Sequence, residues 1–377
     1  MTRIVAARSA FPAYRYPQDE LTRAVAELAG IPPAQRALVE RLHANAGVST
    51  RHTVLPLDAY GELDGRGGLG ARADGAGGSG GSGATVNDRY IEEATALGER
   101  ALRAALAESG LAPADLDLLI VTSVTGVAVP SLDALLIPRL GLRPDVKRLP
   151  VFGLGCVAGA AGLARMHDYL HGWPRHTAAL LAVELCSLSW PRTAVTTADL
   201  VASALFGDGA AALVATGTRA RAKARGPAAR RPRLPRVIAT RSEVYPDSGD
   251  ALGWRLGPGG FRIVLTAELA EVVERRLSAS VTGFLAGHGL TADDIGTWIC
   301  HPGGPKVLDA AARTLKLPDA ALETSRRSLA EVGNLSSVSV LHILELTVAE
   351  RPPAPGSFGL LIGLGPGVSA ELVLLRW

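Results

Sequence analysis

Two short segments, GLGCVAGAAG at 153–162 and VGNLSSVSV at 332–340, decide the fold of this chain. Each presents one polar residue, Cys156 or Asn334, where a run of small and apolar residues begins. That pattern is typical of a tight turn that opens a buried helix. The chain is therefore predicted to contain two equivalent corners.

The two corners belong to an internal repeat of five segment pairs. The pairs are 3–12 with 236–246, 110–123 with 289–302, 130–144 with 305–318, 155–156 with 333–334, and 207–209 with 365–367. Cys156 and Asn334 are 178 residues apart (334 − 156), and the second and third pairs have similar offsets of 179 (289 − 110) and 175 (305 − 130). The repeat predicts an α/β fold in which two halves, each an alternating β/α unit with its own sheet, stack about a pseudo-twofold axis.

The repeat also predicts the domain boundaries. Residues 1–216 form the N-terminal half, 217–236 a basic connector and 237–377 the C-terminal half, in keeping with a chain of 377 residues that is long for a single core. The insert at 61–85 is saturated with glycine and has almost no apolar anchor, so we expect a mobile loop there.

Composition excludes several classes of function. Eight basic residues and no acidic one lie between Arg219 and Arg236, but prolines interrupt this run, which favours a solvated connector over a nucleic-acid arm. Aromatic residues make up 5% of the chain, too few to favour a stacking surface for nucleic acid. No apolar stretch is long enough to span a membrane. Three cysteines without a CxxC pair predict free thiols in the cytoplasm and no metal site.

Cys156 is the candidate nucleophile. The N-terminus of a helix carries partial positive charge, which should favour a thiolate and lower the pKa of the cysteine. Taken alone, a cysteine in this setting is more often a small buried hydrophobic residue. The repeat favours the nucleophile, because the equivalent position in the other half is a second polar residue, Asn334.

His301 is the third candidate catalytic residue. It follows the apolar segment TWIC and begins HPGGP, so a strand should deliver it into a turn. A histidine in that setting is more often structural, yet the repeat places this strand end toward the same axis as Cys156 and Asn334. We therefore expect the three side chains to converge.

Such a trio suits condensation of thioesters. A thiolate can hold an acyl group while histidine and asparagine donate hydrogen bonds to the enolate that forms when a malonyl thioester loses carbon dioxide. This is a decarboxylative Claisen condensation. A Cys-His-Asn protease uses the same residue types, but the duplicated α/β pattern argues against it.

Five motifs together resemble the type III polyketide synthases, the chalcone and stilbene synthase-like enzymes. They are RLPVFGLGCVAGAAG at 148–162, ALFGDGAA at 204–211, WICHPGGP at 298–305, EVGNLSS at 331–337 and GLGPGVSAELVLLRW at 363–377. The resemblance covers nearly the whole chain and implies a thiolase-like fold and a homodimer. It also implies that Cys156 is loaded from an acyl-CoA, that His301 and Asn334 direct extension by malonyl-CoA, and that the product cyclises. Both CoA thioesters are substrates, and no cofactor is expected.

The resemblance also predicts the lining of the substrate cavity. Phe206 matches the aromatic gate of the family, whereas Ile263 stands where a second gating phenylalanine is expected, with Phe261 two positions earlier. The other residues expected to bind substrate are Val129, Cys186, Ser189, Gly365 and Pro366. Arg41 and Lys306 fall at positions that contact CoA in the family.

TGVAVPSLD at 125–133 and VELCSLSW at 183–190 look most like bacterial alkylresorcinol or alkylpyrone synthases, so the main hypothesis is a fatty acyl starter. Three alternatives stay open. They are a tetrahydroxynaphthalene synthase that uses malonyl-CoA alone, a priming β-ketoacyl carrier-protein synthase, and a non-catalytic thiolase-fold partner subunit.

Overall fold

The computed structural model describes residues 2–63, 85–192, 195–220, 234–257, 260–266 and 268–377. Most of the insert at 61–85 and most of the connector at 217–236 lie outside this part. The expectations for both segments, and the domain boundaries at 216 and 237, remain predictions.

The N-terminal half begins the chain and contains seven of the described strands and six of the described helices. The strands are β1 (Thr2–Ala10), β2 (Tyr14–Pro17), β3 (Thr50–Thr53), β4 (Leu118–Thr122), β5 (Lys147–Val151), β6 (Thr177–Leu185) and β7 (Asp208–Thr216). The helices are α1 (Gln18–Leu28), α2 (Pro33–Ala44), α3 (Val86–Ser109), α4 (Leu132–Leu140), α5 (Ala158–Gly172) and α6 (Thr197–Leu205).

The C-terminal half repeats this order with fewer elements. Its strands are β8 (Arg236–Val244), β9 (Leu252–Gly257), β10 (Gly260–Leu265), β11 (Ile295–Cys300), β12 (Phe358–Gly365) and β13 (Ser369–Arg376). Its helices are α7 (Glu268–Ala286), α8 (Pro305–Thr314), α9 (Glu323–Val332) and α10 (Ser339–Glu350). The repeat predicted from the sequence therefore pairs β1 with β8, β4 with β11, α4 with α8, α5 with α10 and β7 with β13.

The strands of the two halves join at one point. The main sheet has nine strands in the order β11-β12-β13-β8-β1-β7-β6-β4-β5. The first strands of the two halves meet through the pairs Thr2–Val237 and Arg3–Arg236. The sequence predicted a separate sheet in each half; instead, this short antiparallel contact makes the sheet continuous.

Helices lie on both sides of each half. The long helix α3 packs against β1, β6 and β7, and α7 packs against β13 and α8. Helices α5 and α10 contact strands of both halves and each other, so they form the layer between the halves. This confirms the duplicated, layered α/β fold. Within the described residues, no helix has the length and apolarity needed to cross a bilayer.

Small residues allow the two central helices to begin side by side. A β-carbon added at Gly159 in α5 would lie 2.0 Å from the Ser337 carbonyl oxygen, and one added at Gly162 would lie 2.5 Å from Leu180 Cδ1. Both distances are shorter than van der Waals contact, so a larger side chain at Gly159 would push α5 away from the start of α10, and one at Gly162 would push α5 away from β6. The run of alanine and glycine in α5 thus places both helix N-termini at one location.

Candidate active site

Cys156 lies in a single helical turn, Gly155–Val157, immediately before α5. Gly155 has a φ of 55°, and a β-carbon there would lie 2.5 Å from Pro366 Cγ. A β-carbon on Gly365 would lie 2.7 Å from the Val157 nitrogen. Gly365 and Pro366, both predicted to bind substrate, therefore pack directly against the turn that holds the nucleophile candidate.

Asn334 occupies the equivalent corner of the second half. It is 1% exposed, and its Oδ1 accepts a hydrogen bond of 2.8 Å from the Ser336 N–H. This bond leaves the amide NH₂ as the group available to donate. The Ser336 hydroxyl in turn hydrogen-bonds the Cys156 sulfur, so one serine connects the two corners. Ser336 has a φ of 52°, a left-handed conformation that a residue with a side chain adopts only under constraint.

His301 stands at the end of β11, as predicted. Its backbone N–H donates to the Ile362 carbonyl of β12 at 2.9 Å. The side chain is 2% exposed, and its Nδ1 has no hydrogen-bond partner among the described residues. Burial lowers the pKa of His301 to about 3, so the imidazole is neutral at pH 7.

The sequence predicted a lowered pKa for the Cys156 thiol, and this prediction was wrong. Burial raises the pKa of Cys156 to about 12, and the hydrogen bond from Ser336 opposes this only in part. The partial charge of the helix N-terminus does not outweigh the loss of solvation. The buried site therefore contains a thiol and a neutral imidazole, and the thiolate must form by transfer of the thiol proton.

This arrangement can carry out acyl transfer and enolate formation. A neutral imidazole can accept the proton that Cys156 loses when it attacks a thioester. The unpartnered nitrogen of His301 and the amide NH₂ of Asn334 can then donate to a thioester oxygen. Both groups are buried, where a hydrogen bond to developing negative charge is worth most.

Glu184 is a candidate site residue that the sequence analysis missed. It lies at the end of β6, is 0% exposed, and accepts hydrogen bonds from Thr125 Oγ1 at 3.0 Å and the Val124 N–H at 3.1 Å. The Ser337 hydroxyl also donates to it, and Ser336 Oγ lies 3.4 Å from its Oε1, which connects it to the Cys156 corner. Burial raises its pKa to about 7. The sequence signal that could have identified Glu184 is the presence of one charged residue within the apolar segment TAALLAVEL.

A second missed residue, Arg51, fixes the position of Phe206. Its buried guanidinium donates through Nη1 to the carbonyls of Ser203 and Phe206, at 2.6 and 2.7 Å. The backbone around Phe206 also pairs with Asn334: the Asn334 N–H donates to the Leu205 carbonyl at 2.8 Å. The backbone next to Phe206, the predicted gate, is therefore hydrogen-bonded to the backbone of Asn334, the predicted catalytic residue of the other half.

Four of the predicted substrate-binding residues line one cavity: Cys186, Ser189, Phe206 and Ile263. Two tryptophans that the sequence analysis did not single out, Trp190 and Trp254, line it too. These bulky side chains face the small residues Cys186 and Ser189 within one lining, so the cavity is narrow.

The remaining predicted residues lie elsewhere. Val129 precedes Pro130 in a surface loop and is 92% exposed, so the prediction that it lines the cavity of its own chain was wrong. The side chain of Phe261 lies outside the described part. Arg41 and Lys306 are both exposed, and they lie on adjoining elements, because a β-carbon on Gly47 after α2 would lie 2.9 Å from Pro305 in α8.

Comparison with known proteins tests these observations. The family profile "Chalcone and stilbene synthases, N-terminal domain" matches residues 79–218, and the corresponding C-terminal profile matches residues 236–377. A 1,3,6,8-tetrahydroxynaphthalene synthase of Streptomyces peucetius subsp. caesius is 52% identical over 100% of this chain and 93% of its own length. The chain belongs to the chalcone and stilbene synthase family.

Two further relatives of this type III polyketide synthase are informative. The crystal structure of 1,3,6,8-tetrahydroxynaphthalene synthase from Streptomyces coelicolor A3(2) has a TM-score of 0.85 and 30% identity, and the match covers 100% of this chain and 99% of that one. An alpha-pyrone synthesis polyketide synthase-like protein of Mycobacterium tuberculosis is 29% identical over 95% of this chain and 86% of its own length. The family is confirmed, and with it an acyltransferase that performs decarboxylative Claisen condensation.

Glu184 leads to a prediction for stability against pH. Its folded-state pKa of about 7 exceeds the ordinary value of 4.5, so folding favours the protonated carboxyl. The associated stability is present below pH 4.5 and is lost as the pH rises through 7, a change of about 3 kcal/mol. Because Glu184→Gln cannot ionise, its free energy of unfolding should gain about that much relative to the wild type between pH 4.5 and 8.

Urea denaturation at several pH values measures this difference. The exposed Glu40→Gln variant on α2 is the control, and its stability should follow the wild type at every pH. Parallel pH profiles for Glu184→Gln and the wild type would show that Glu184 does not titrate as its burial implies.

Proposed function

We propose that this type III polyketide synthase makes a tetrahydroxynaphthalene from malonyl-CoA alone. The observation that carries the proposal is the presence of two tryptophans, Trp190 and Trp254, in the lining of the cavity beside Phe206. Similarity to tetrahydroxynaphthalene synthases supports it and favours this alternative over the fatty acyl hypothesis.

The tryptophans oppose a fatty acyl starter. A linear acyl chain needs a long apolar tunnel, and the small residues Cys186 and Ser189 predicted one. Trp254 on β9 pairs with Ile263 on β10, and both side chains line the cavity opposite those small residues. The space that the small side chains of Cys186 and Ser189 leave is therefore filled by Trp254 and Ile263. A malonyl starter is short enough to need no tunnel.

In the proposed reaction, the Cys156 sulfur attacks the thioester carbon of malonyl-CoA, and CoA leaves as its thiol. His301 accepts the proton of Cys156. A second malonyl-CoA then loses carbon dioxide while His301 and Asn334 donate hydrogen bonds to its thioester oxygen. The resulting enolate carbon attacks the acyl carbon on Cys156 and releases the sulfur. Four such extensions of the three-carbon malonyl starter give eleven carbons, and the starter's own carboxyl group leaves as carbon dioxide on ring closure, so that the ten ring carbons remain.

The first test is the substrate requirement. Purified enzyme given malonyl-CoA alone should yield tetrahydroxynaphthalene, detected by mass spectrometry. Cys156→Ala should reduce the product at least a thousandfold, because no acyl-enzyme can form. Circular dichroism should show that the variant remains folded. If product forms only when a fatty acyl-CoA is added, the alkylresorcinol or alkylpyrone hypothesis is the right one.

The second test concerns Trp254. Trp254→Ala should open the cavity and raise the incorporation of a hexanoyl-CoA starter, in competition with malonyl-CoA, by at least tenfold. The matched control is Trp173→Ala, which removes an indole that is half exposed at the end of α5. Product ratios from mass spectrometry measure the effect. An unchanged ratio for Trp254→Ala would mean that this wall does not select the starter.

We further propose that the enzyme is a homodimer that buries the edge of the sheet at β5. Four exposed apolar residues lie on or near this edge strand: Val129, Leu149, Phe152 and Leu154. An unpaired edge with apolar residues favours pairing with another chain, and a twofold axis lets the same strand meet its own copy. The exposure of Val129 fits this arrangement.

Light scattering tests the dimer. Phe152→Asp combined with Leu154→Asp should shift the mass at micromolar concentration from two chains to one. The control is Val244→Asp on β8, which introduces a charge at a residue of similar exposure on a different strand. A wild-type protein that is itself monomeric would refute the proposal.

Three further expectations belong to the proposal. Arg41 and Lys306 would contact the phosphates of CoA, since the ligand is highly anionic and both side chains are exposed on adjoining elements. The Claisen chemistry described above uses CoA thioesters as substrates and requires no bound cofactor. Three free cysteines, all buried, fit an enzyme of the cytoplasm.

A further inference from the structure

Trp190 has a buried donor without a partner. The residue is 6% exposed and lines the cavity beside Phe206. Its indole Nε1 is buried and donates to no residue in the described part of the chain. Buried indole N–H groups normally find an acceptor, so this donor needs an explanation.

The indole is held firmly in place. The Tyr60 ring lies 4.8 Å from the Trp190 ring, centroid to centroid. The Tyr60 hydroxyl is hydrogen-bonded to Ser187 Oγ at 2.5 Å, and the Ser187 N–H donates to Asp208 Oδ1 at 2.8 Å. Asp208 is fully buried and also accepts the Val54 N–H at 2.8 Å. The orientation of the indole is therefore set by a rigid buried network before any substrate binds.

The other polar groups of the cavity lining are already engaged. Ser189 Oγ donates to the Cys186 carbonyl at 2.7 Å, and Ser203 Oγ donates to the Leu200 carbonyl at 2.8 Å. The Asp199 carboxylate accepts two hydrogen bonds from Thr196. The Cys186 thiol is a weak donor. The Trp190 N–H is thus a strong donor in this lining that no described residue uses.

We propose that the Trp190 N–H binds a ketone or enolate oxygen of the growing poly-β-ketone and so fixes the chain for ring closure. The inference rests on the proposed function, since it takes the cavity beside Phe206 as the place where the chain grows. A poly-β-ketone has an acceptor oxygen on every second carbon, which matches a preorganised donor in an apolar wall. Trp190 is thereby a substrate-binding residue that acts on product identity more than on condensation.

Trp190→Phe tests the proposal, because it removes the N–H and keeps an aromatic ring against Tyr60. CoA release from malonyl-CoA is measured in parallel, so that product formation is expressed per condensation and any change in the rate of condensation is corrected for. The share of product recovered as tetrahydroxynaphthalene should fall at least fivefold, replaced by lactones and other misclosed products. The melting temperature should be unchanged or higher, because an unpaired buried donor has been removed.

Two further variants separate the N–H from the volume of the ring. Replacing Trp190 with β-(3-benzothienyl)alanine by amber suppression keeps the shape of the indole and substitutes sulfur for the N–H, and it should reproduce the product shift of Trp190→Phe. The control is Trp377→Phe. Trp377 Nε1 is also buried without a described partner, but it packs beside Gly359, so its loss should leave the product ratio unchanged.

The outcomes distinguish this inference from the proposed function. A wild-type product ratio in the benzothienyl variant would overturn the role of the N–H, even if Trp190→Phe is impaired through lost packing. A wild-type enzyme that makes no tetrahydroxynaphthalene would overturn the proposed function instead. The same comparison would then be made on the ring-closed share of whatever product is formed, and an unchanged share would again refute the inference.

Discussion

The close contact between the N-termini of α5 and α10 is the constraint on which the rest of the structure depends. A β-carbon at Gly159 would lie 2.0 Å from the Ser337 carbonyl oxygen, so the two halves touch here backbone to backbone. Because they do, Ser336 can reach both Cys156 and Asn334. Ser337 also donates to Glu184, so the end of β6 is connected to this end of the central helices. If the N-termini of α5 and α10 were further apart, Cys156 and Asn334 could not belong to the same site.

Burial of this centre determines the state of its ionisable groups. It raises the pKa values of Cys156 and Glu184 and lowers that of His301, so solvation outweighs the local hydrogen bonds at each residue. The site therefore contains mainly neutral hydrogen-bonding groups rather than an ion pair. Such a site lowers the free energy of the transition state in which negative charge develops, because the donors are already oriented and little water has to reorganise.

The sequence was sufficient to predict the duplicated fold and the places of Cys156, Asn334 and His301 at two equivalent corners and a strand end, because a repeat makes positions in one half informative about the other. It was insufficient where a result depends on contacts between elements distant in the chain. Arg51 in TRHT reads as a surface arginine, yet its guanidinium is buried under Phe206. The small residues at 186 and 189 suggested a tunnel, because nothing in the local sequence places Trp254 opposite them. The degree of burial that sets the pKa of Cys156 is likewise a property of the assembled layers.

The β9–β10 hairpin has a consequence of another kind. It forms a two-stranded sheet of its own and contributes Trp254 and Ile263 to the cavity wall, whereas the trio is carried by the corners of the nine-stranded framework. The hairpin side chains that line the cavity are therefore carried by a different sheet from Cys156, His301 and Asn334. Under the proposed function, substitutions of Trp254 or Ile263 would change the product while the sheet that carries the reacting side chains keeps its hydrogen bonds.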